Sequence, residues 1–382
     1  MTPRLGVLGY GPIQYHTPLW RLITKRGNVD IDVLFLSDTG HAAKVDPSFG
    51  VPIAWDIDLL SGYNYSFLTR TQQPAGMLRK AVQIARWIPA HDTIVVNGYI
   101  SPWMLLAMAM CRARGIPYFL RASSHQAGQS AGWRRCVRPL ATRLAVACAA
   151  GGLSMGTLND EFYYQNRARS IVRAPNSVEN ERFAAPPLVS RSDLLSRWNL
   201  SDKLPLVMFS GKLIPRKRPL DLVSALRYLA TEVNVLFVGD GSLAGQIRAA
   251  QPMRNLAVTG FVNQSEIPAY YHAADVLVLP SEVETWGLVV NEAMAAGTLP
   301  VVSDQVGCVP DLVRGVGEVF RCGDVRDLAG AVSRALARAR DPRTCEQVRT
   351  HVDRYSLKRT AEGFERAALS VASPPRIQVS SQ

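Results

Sequence analysis

With 382 residues the chain is too long for one ordinary domain, and 47% hydrophobic against 19% charged residues excludes disorder and a coiled coil. The net charge of +12 is uneven, with 19 Lys and Arg against 10 Asp and Glu in residues 1–180, and 24 against 21 in residues 181–382. Six cysteines (111, 136, 148, 308, 322, 345) form no CxxC pair and no Cys/His cluster at metal-ligand spacing, which excludes a disulfide framework and fits free thiols in a reducing cytoplasm.

Met1-Thr2-Pro3-Arg4 holds one basic residue and the apolar run after it breaks at Gly9 and Gly11, so no secretory signal is expected there. Residues 5–9 read as a strand, closed by Gly9-Tyr10-Gly11-Pro12, a turn able to pass close to ligand phosphates. Further strands read at 31–36, 93–97, 117–120 and 170–174. Residues 93–111 carry no charge over nineteen positions, formally enough to span a membrane. Asn97, Gly98 and Pro102 cut that stretch, however, and a buried strand followed by a core helix is the better account. No carboxylate occurs between Asp92 and Asp160, whereas seven arginines (112, 114, 121, 134, 135, 138, 143) lie in the gap. Such a field attracts nucleic acid, a membrane surface or a phosphorylated ligand, or is simply a solvated basic face. No recognition helix, RNP motif or zinc site supports nucleic acid.

Pro and small polar residues cluster at Ala174-Pro175-Asn176-Ser177 and again at 184–187, marking a join. Beyond it, strands read at 206–210, 233–238, 256–259, 276–279 and 299–302. Near-continuous apolar strands alternating with helices imply parallel sheets covered on both faces. Two such sets imply two doubly wound, Rossmann-like α/β domains, 1–175 and 176–355, with a cleft between them. A helix at 356–370, with Leu357, Ala361, Phe364 and Ala368 at helical spacing, is expected to pack back on the first domain, ahead of a disordered tail at 373–382.

Two segments carry the chemistry. Gly211-Lys212-Leu213-Ile214-Pro215-Arg216-Lys217-Arg218 sets four basic residues at the carboxyl end of a parallel strand, where ligands bind and free amides meet phosphates. Alone it reads equally as a basic surface loop. In Ser281-Glu282-Val283-Glu284-Thr285-Trp286-Gly287 a strand ends in a loop, and a helix runs from near Gly287 to Gly297. Its N-terminal amides, around Gly287, Leu288 and Val289, suit a diphosphate. Glu284 lies on one side of that anion site and Glu292 about 7–8 Å along the helix at 1.5 Å per residue. Two carboxylates flanking a diphosphate cradle match a nucleotide sugar, one for each set of neighbouring hydroxyls.

Glu284 and Glu292 resemble the E-x7-E signature of retaining glycosyltransferases with the GT-B fold, family four in particular. Gly211-Lys212 with Lys217 resembles that family's diphosphate clamp, Gly239-Asp240-Gly241 its strand-end turn, Gly260-Phe261-Val262 its base-side loop and Ala174–Val178 its hinge. The match covers nearly all of 170–370 and is a mere pattern of elements before that. It implies that Lys212 and Lys217 neutralise the donor diphosphate, that Glu284 contacts the sugar and Glu292 the ribose, and that the amides at 287–289 hold a phosphate. Gly11 and Gly241 would approach the donor closely, and Phe261 and Val262 would face the base. No metal is implied. Relatives often carry a His or an acidic residue after the strand matched by 118–122, whereas this chain has Arg121-Ala122-Ser123-Ser124-His125. His125 and His16, each after a strand, are therefore both candidates, or plain loop histidines.

The reading is a retaining, metal-independent hexosyltransferase moving sugar from a nucleotide diphosphate sugar to a saccharide or lipid-linked acceptor. Its expected setting is bacterial polysaccharide or lipopolysaccharide assembly, cytoplasmic and peripheral at an anionic membrane face. The rivals are a nucleotide-sugar epimerase, a glycogen- or sucrose-type synthase, and a catalytically silent nucleotide- or lipid-binding scaffold. Oxidoreduction is disfavoured because Gly9-x-Gly11 lacks the third glycine of a dinucleotide turn.

Overall fold

Short runs of Val, Ile, Leu and Phe become fully buried strands. A computed structural model of the chain describes residues 2–39, 44–45, 52–53, 55–122, 134–250 and 255–372, with the backbone alone for 44–45, 52–53, 134–139 and 372. All ten expected strands form, each within one residue of its expected ends. The chain divides into two compact units, residues 1–42, 58–175 and 358–382 in the first and 43–57 with 176–357 in the second.

In the first unit seven parallel strands lie in the order Asn64–Phe67, Asp30–Phe35, Arg4–Gly9, Thr93–Asn97, Tyr118–Arg121, Gly151–Ser154 and Ile171–Arg173. In the second, six parallel strands lie in the order Leu256–Gly260, Asn234–Val238, Leu206–Ser210, Val276–Leu279, Leu299–Ser303 and Glu318–Phe320. Both sheets are Rossmann-like, and each has one place where the chain order reverses, between Arg4–Gly9 and Thr93–Asn97 and between Leu206–Ser210 and Val276–Leu279.

The uncharged stretch 93–111 is the strand Thr93–Asn97 and the helix Pro102–Ala113, whose Ser101 hydroxyl caps the Trp103 amide. No helix among the described residues is long and apolar enough to cross a membrane. The C-terminal helix Leu357–Ala372 buries Leu357, Ala361, Phe364 and Ala368. Within the first unit Phe364 meets Trp20 edge-on at 5.2 Å, and Glu365 accepts from Arg26 (2.6 and 2.9 Å) and Asn28 (3.0 Å).

Two features depart from the sequence reading. Residues 43–57, expected in the first domain, belong to the second unit, where Trp55 meets Phe261 at 5.9 Å and Asp56 accepts from the Ser265 amide at 3.2 Å. Three edge or glycine-rich strands, Asn64–Phe67, Gly151–Ser154 and Glu318–Phe320, join the sheets unforeseen. The tail expected at 373–382 lies outside the described residues.

Candidate functional site

The loops that leave the two strands at the second unit's reversal point carry the basic and acidic segments singled out above. Gly211 leaves Leu206–Ser210 at φ +137°, with its amide on the Val238 carbonyl (2.9 Å), and the Leu213 amide bonds the Asp240 carbonyl (2.9 Å). This brings two backbones into contact. A Cβ on Gly239 would lie 2.0 Å from the Gly211 carbonyl oxygen, and one on Gly241 would lie 2.5 Å from that of Leu213. The 3-10 turn Pro215–Lys217 then carries Lys217 inward. Arg218, left-handed at φ +51° and bonded to Asp221 (2.7 Å), starts the helix Pro219–Ala225. A further 3-10 turn follows that helix at Leu226–Tyr228.

The acidic loop after Val276–Leu279 is stitched on both sides. The Glu282 amide donates to the Arg216 carbonyl (2.9 Å), while Gly307 and Cys308 donate to the carbonyls of Glu284 (2.9 Å) and Trp286 (3.1 Å). Gly307 is required there, since a Cβ would lie 2.1 Å from the Thr285 carbonyl oxygen. Gly287, at φ +95°, caps the helix Leu288–Ala296, which Gly297 ends at φ +90°. First-turn amides such as those of Leu288 and Val289 have no partner within a helix, and the helix dipole makes this end positive.

Lys217 and Glu284, 67 positions apart, meet here as an ion pair through Nζ and Oε2, each side chain 15% exposed. Burial first, then the Arg216 and Lys212 charges, push the Lys217 ammonium down to about 8. Glu292 is only 2% exposed and accepts from the Tyr271 hydroxyl (2.6 Å), which also bonds Ser210 Oγ (3.0 Å). A cation, a carboxylate and a helix N-terminus thus converge on one loop pair, with a second carboxylate fixed deeper. Phe261 and Val262 follow the edge strand Leu256–Gly260, with Phe261 against Trp55. Tyr271, missed in the sequence, sits on the helix Ile267–Ala273 among apolar residues and gives no local sign of its role.

In the first unit Gly11 packs where a Cβ would lie 2.5 Å from the Thr39 carbonyl oxygen, so close packing alone demands glycine there. His16 precedes the helix Thr17–Arg26 and lies against Trp20 (5.8 Å). Burial, then the charge of Arg121, push it down to about 3, so its imidazole is neutral at physiological pH. Arg121 is itself buried, donating to the Ala174 carbonyl (2.6 Å). His125 lies outside the described residues. Among the described residues no group of three His, Cys, Asp or Glu side chains is gathered to hold a metal ion.

Residues 190–350 match the family described as glycosyl transferases group 1. The chain is similar to a 2-deoxystreptamine glucosyltransferase of Streptomyces kanamyceticus, 32% identical over 302 residues, 72% of this chain and 74% of that protein. It is also similar to a GDP-mannose-dependent alpha-(1-6)-phosphatidylinositol monomannoside mannosyltransferase of Mycobacterium tuberculosis, 30% identical over 61% of this chain and 63% of that one. Other curated relatives are matched over as little as 30% of their length. Among solved structures, Anabaena HepE in complex with UDP superposes with a TM-score of 0.74 at 15% identity, covering 96% of this chain and all of the other, a likeness of fold.

Proposed function

This chain belongs to the group 1 glycosyl transferases, and we propose that it is a retaining, metal-independent member of their family four, moving a hexose-type sugar from a nucleotide diphosphate sugar to a saccharide or lipid-linked acceptor. The observation that carries this reading is the Lys217–Glu284 pair beside the N-terminus of Leu288–Ala296, at the reversal point of the sheet. In transfer the bond from the anomeric carbon to the diphosphate breaks, its electrons leave with the diphosphate, and the acceptor oxygen bonds the same carbon as its proton passes to the departing phosphate oxygen. Charge develops on the departing phosphate, and Lys212, Lys217 and the first-turn amides meet it in place of a divalent cation. Glu284 accepts from hydroxyls of the sugar. Glu292, fixed by Tyr271, accepts from the ribose.

The setting we propose is bacterial polysaccharide or lipopolysaccharide assembly, cytoplasmic and at an anionic membrane face. The excess of basic residues in 1–180 and the phosphatidylinositol-linked acceptor named for the mycobacterial relative support it. The test is a thermal-shift screen against UDP-, GDP- and ADP-sugars, followed by product analysis with and without acceptor. Ligand at a hundred times its dissociation constant adds about 2.7 kcal/mol of stability, and one nucleotide series is expected to do so. No shift with any donor overturns the reading, and a donor sugar altered without acceptor marks an epimerase instead.

The buried lysine makes binding pH-dependent. Lys217 must be an ammonium to meet the diphosphate, and in the free protein it loses its proton as pH rises through about 8. Nucleotide diphosphate affinity is therefore expected to fall above pH 8, by up to about tenfold per pH unit, with one proton taken up on binding. Lys217→Arg, whose guanidinium stays charged, is expected to flatten that slope. Titration calorimetry in two buffers of different ionisation enthalpy measures both.

A further inference from the structure

Residues 59–159 hold eleven Lys and Arg against one carboxylate, Asp92, which accepts from the Arg4 amide (2.8 Å). Three helices from this stretch, Met77–Trp87, Pro102–Ala113 and Arg134–Cys148, pack side by side on one face of the first unit's sheet. Lys80 of the first lies 5.5 Å over the Trp103 ring of the second. Their inner faces, with Ile84, Met104, Met108 and Val146, enter a single core against Tyr118 and Leu120. The opposite faces therefore look to solvent, and they are not polar.

Leu78 (80% exposed) and Val82 stand one turn apart on the first helix, and Leu140 (62% exposed) and Leu144 one turn apart on the third, with Leu105 exposed between them. Arg79, Arg86 and Arg143 are exposed on the same outward sides, and the helices Met77–Trp87 and Pro102–Ala113 contain no acidic residue. An outward stripe of aliphatic side chains flanked by arginines is the pattern of a helix lying in a lipid interface.

We propose that this three-helix face docks on an anionic lipid bilayer, the leucines entering the acyl boundary and the arginines meeting lipid phosphates. It deepens the membrane setting proposed above by fixing which surface is used, and it stands on the first unit alone, without the donor chemistry. Nucleic acid fits the charge but not the aliphatic stripe, which offers a base neither a ring to stack on nor a hydrogen bond. Each basic residue at an anionic surface contributes about a fivefold gain in partitioning, and burying a leucine side chain about tenfold or more.

The full chain is sedimented with phosphatidylcholine vesicles, with and without phosphatidylglycerol, beside the double variants Leu78→Gln/Leu144→Gln and Arg79→Gln/Arg143→Gln. The wild type is expected to pellet with anionic vesicles only and to release at high salt. Each double variant is expected to lose about tenfold or more in partitioning, at unchanged melting temperature and nucleotide affinity. Equal binding to neutral vesicles, or variants that bind like wild type, overturns the proposal. So does retention on DNA without retention on vesicles, or concentration-dependent dimerisation that the leucine variant abolishes in a chain that binds no vesicle. Because nucleotide affinity is read on the same preparations, loss of vesicle binding alone leaves the transferase reading intact.

Discussion

Replacing Glu284 with glutamine is expected to cut sugar transfer by about a hundredfold or more, while nucleotide diphosphate binding stays equal to wild type or tightens. The structure sharpens the sign of the second effect. In the free protein Glu284 holds the Lys217 ammonium, so a neutral glutamine releases that cation to the diphosphate. Transfer suffers because glutamine is a weaker acceptor for sugar hydroxyls than a carboxylate. Glu292→Gln is expected to act in the opposite way, weakening nucleotide and donor alike. The carboxylate is buried beside Tyr271, and a hydrogen bond to a charged group contributes about 1.5–3 kcal/mol, or about ten- to hundredfold in affinity. Calorimetry with the nucleotide found in the screen, beside turnover and melting temperature, decides between the two roles. Nucleotide affinity lost in Glu284→Gln and kept in Glu292→Gln would mean that the donor lies the other way round.

The largest stability effect is expected at Asp275, which opens the central strand Val276–Leu279. Its carboxylate, 8% exposed, accepts from Arg340 (2.8 and 3.2 Å), Arg191 (3.0 Å) and the Leu206 amide (2.7 Å). Breaking a buried pair costs about 3–5 kcal/mol. Arg340 is more than half exposed, so solvent screening lowers the expectation for Asp275→Asn to about 2–4 kcal/mol. Burial raises the Asp275 pKa, but Arg340, the Leu206 amide and Arg191 outweigh it and the net shift is downward from 3.8. A carboxyl with a depressed folded pKa stabilises above its unfolded pKa and loses that contribution as pH falls through the folded value. The gap between wild type and variant in urea melts should therefore be full at pH 7 and close progressively below about pH 4. A gap that persists unchanged at pH 2 would show that packing, not charge, is the cause.

Much of this was legible without coordinates. Runs such as Val276–Leu279 and Thr93–Asn97 are too apolar to be anything but buried strands, and their alternation with helices fixes a parallel sheet. The spacing of Glu284, Gly287 and Glu292 is readable because a strand, a loop and a helix impose it locally. Gly151–Ser154 was not, because two glycines in sequence read as a turn. They are glycines because a Cβ on Gly152 would lie 2.4 Å from the Tyr163 ring and one on Gly151 2.2 Å from Ser170 Oγ, contacts that exist only after folding. Tyr271 and its bond to Glu292, and the Lys217–Glu284 pair, join residues 21 and 67 positions apart. Local pattern carries no trace of such pairs. His16 likewise looks like any loop histidine until burial and Arg121 hold it neutral.

The Lys217–Glu284 pair also bears on selectivity in a crowded solution. A bare lysine cradle would collect inorganic phosphate, sulfate and every nucleoside monophosphate that passes. Here the cradle carries its own counter-ion, so an anion that offers charge alone must compete with a carboxylate already seated, at 15% exposure, on the lysine. A molecule that brings a diphosphate for the lysine and hydroxyls for the carboxylate satisfies both partners in the same event. If the proposed donor chemistry holds, the pair works as a coincidence gate, and the ligand that opens it must present two chemistries at once.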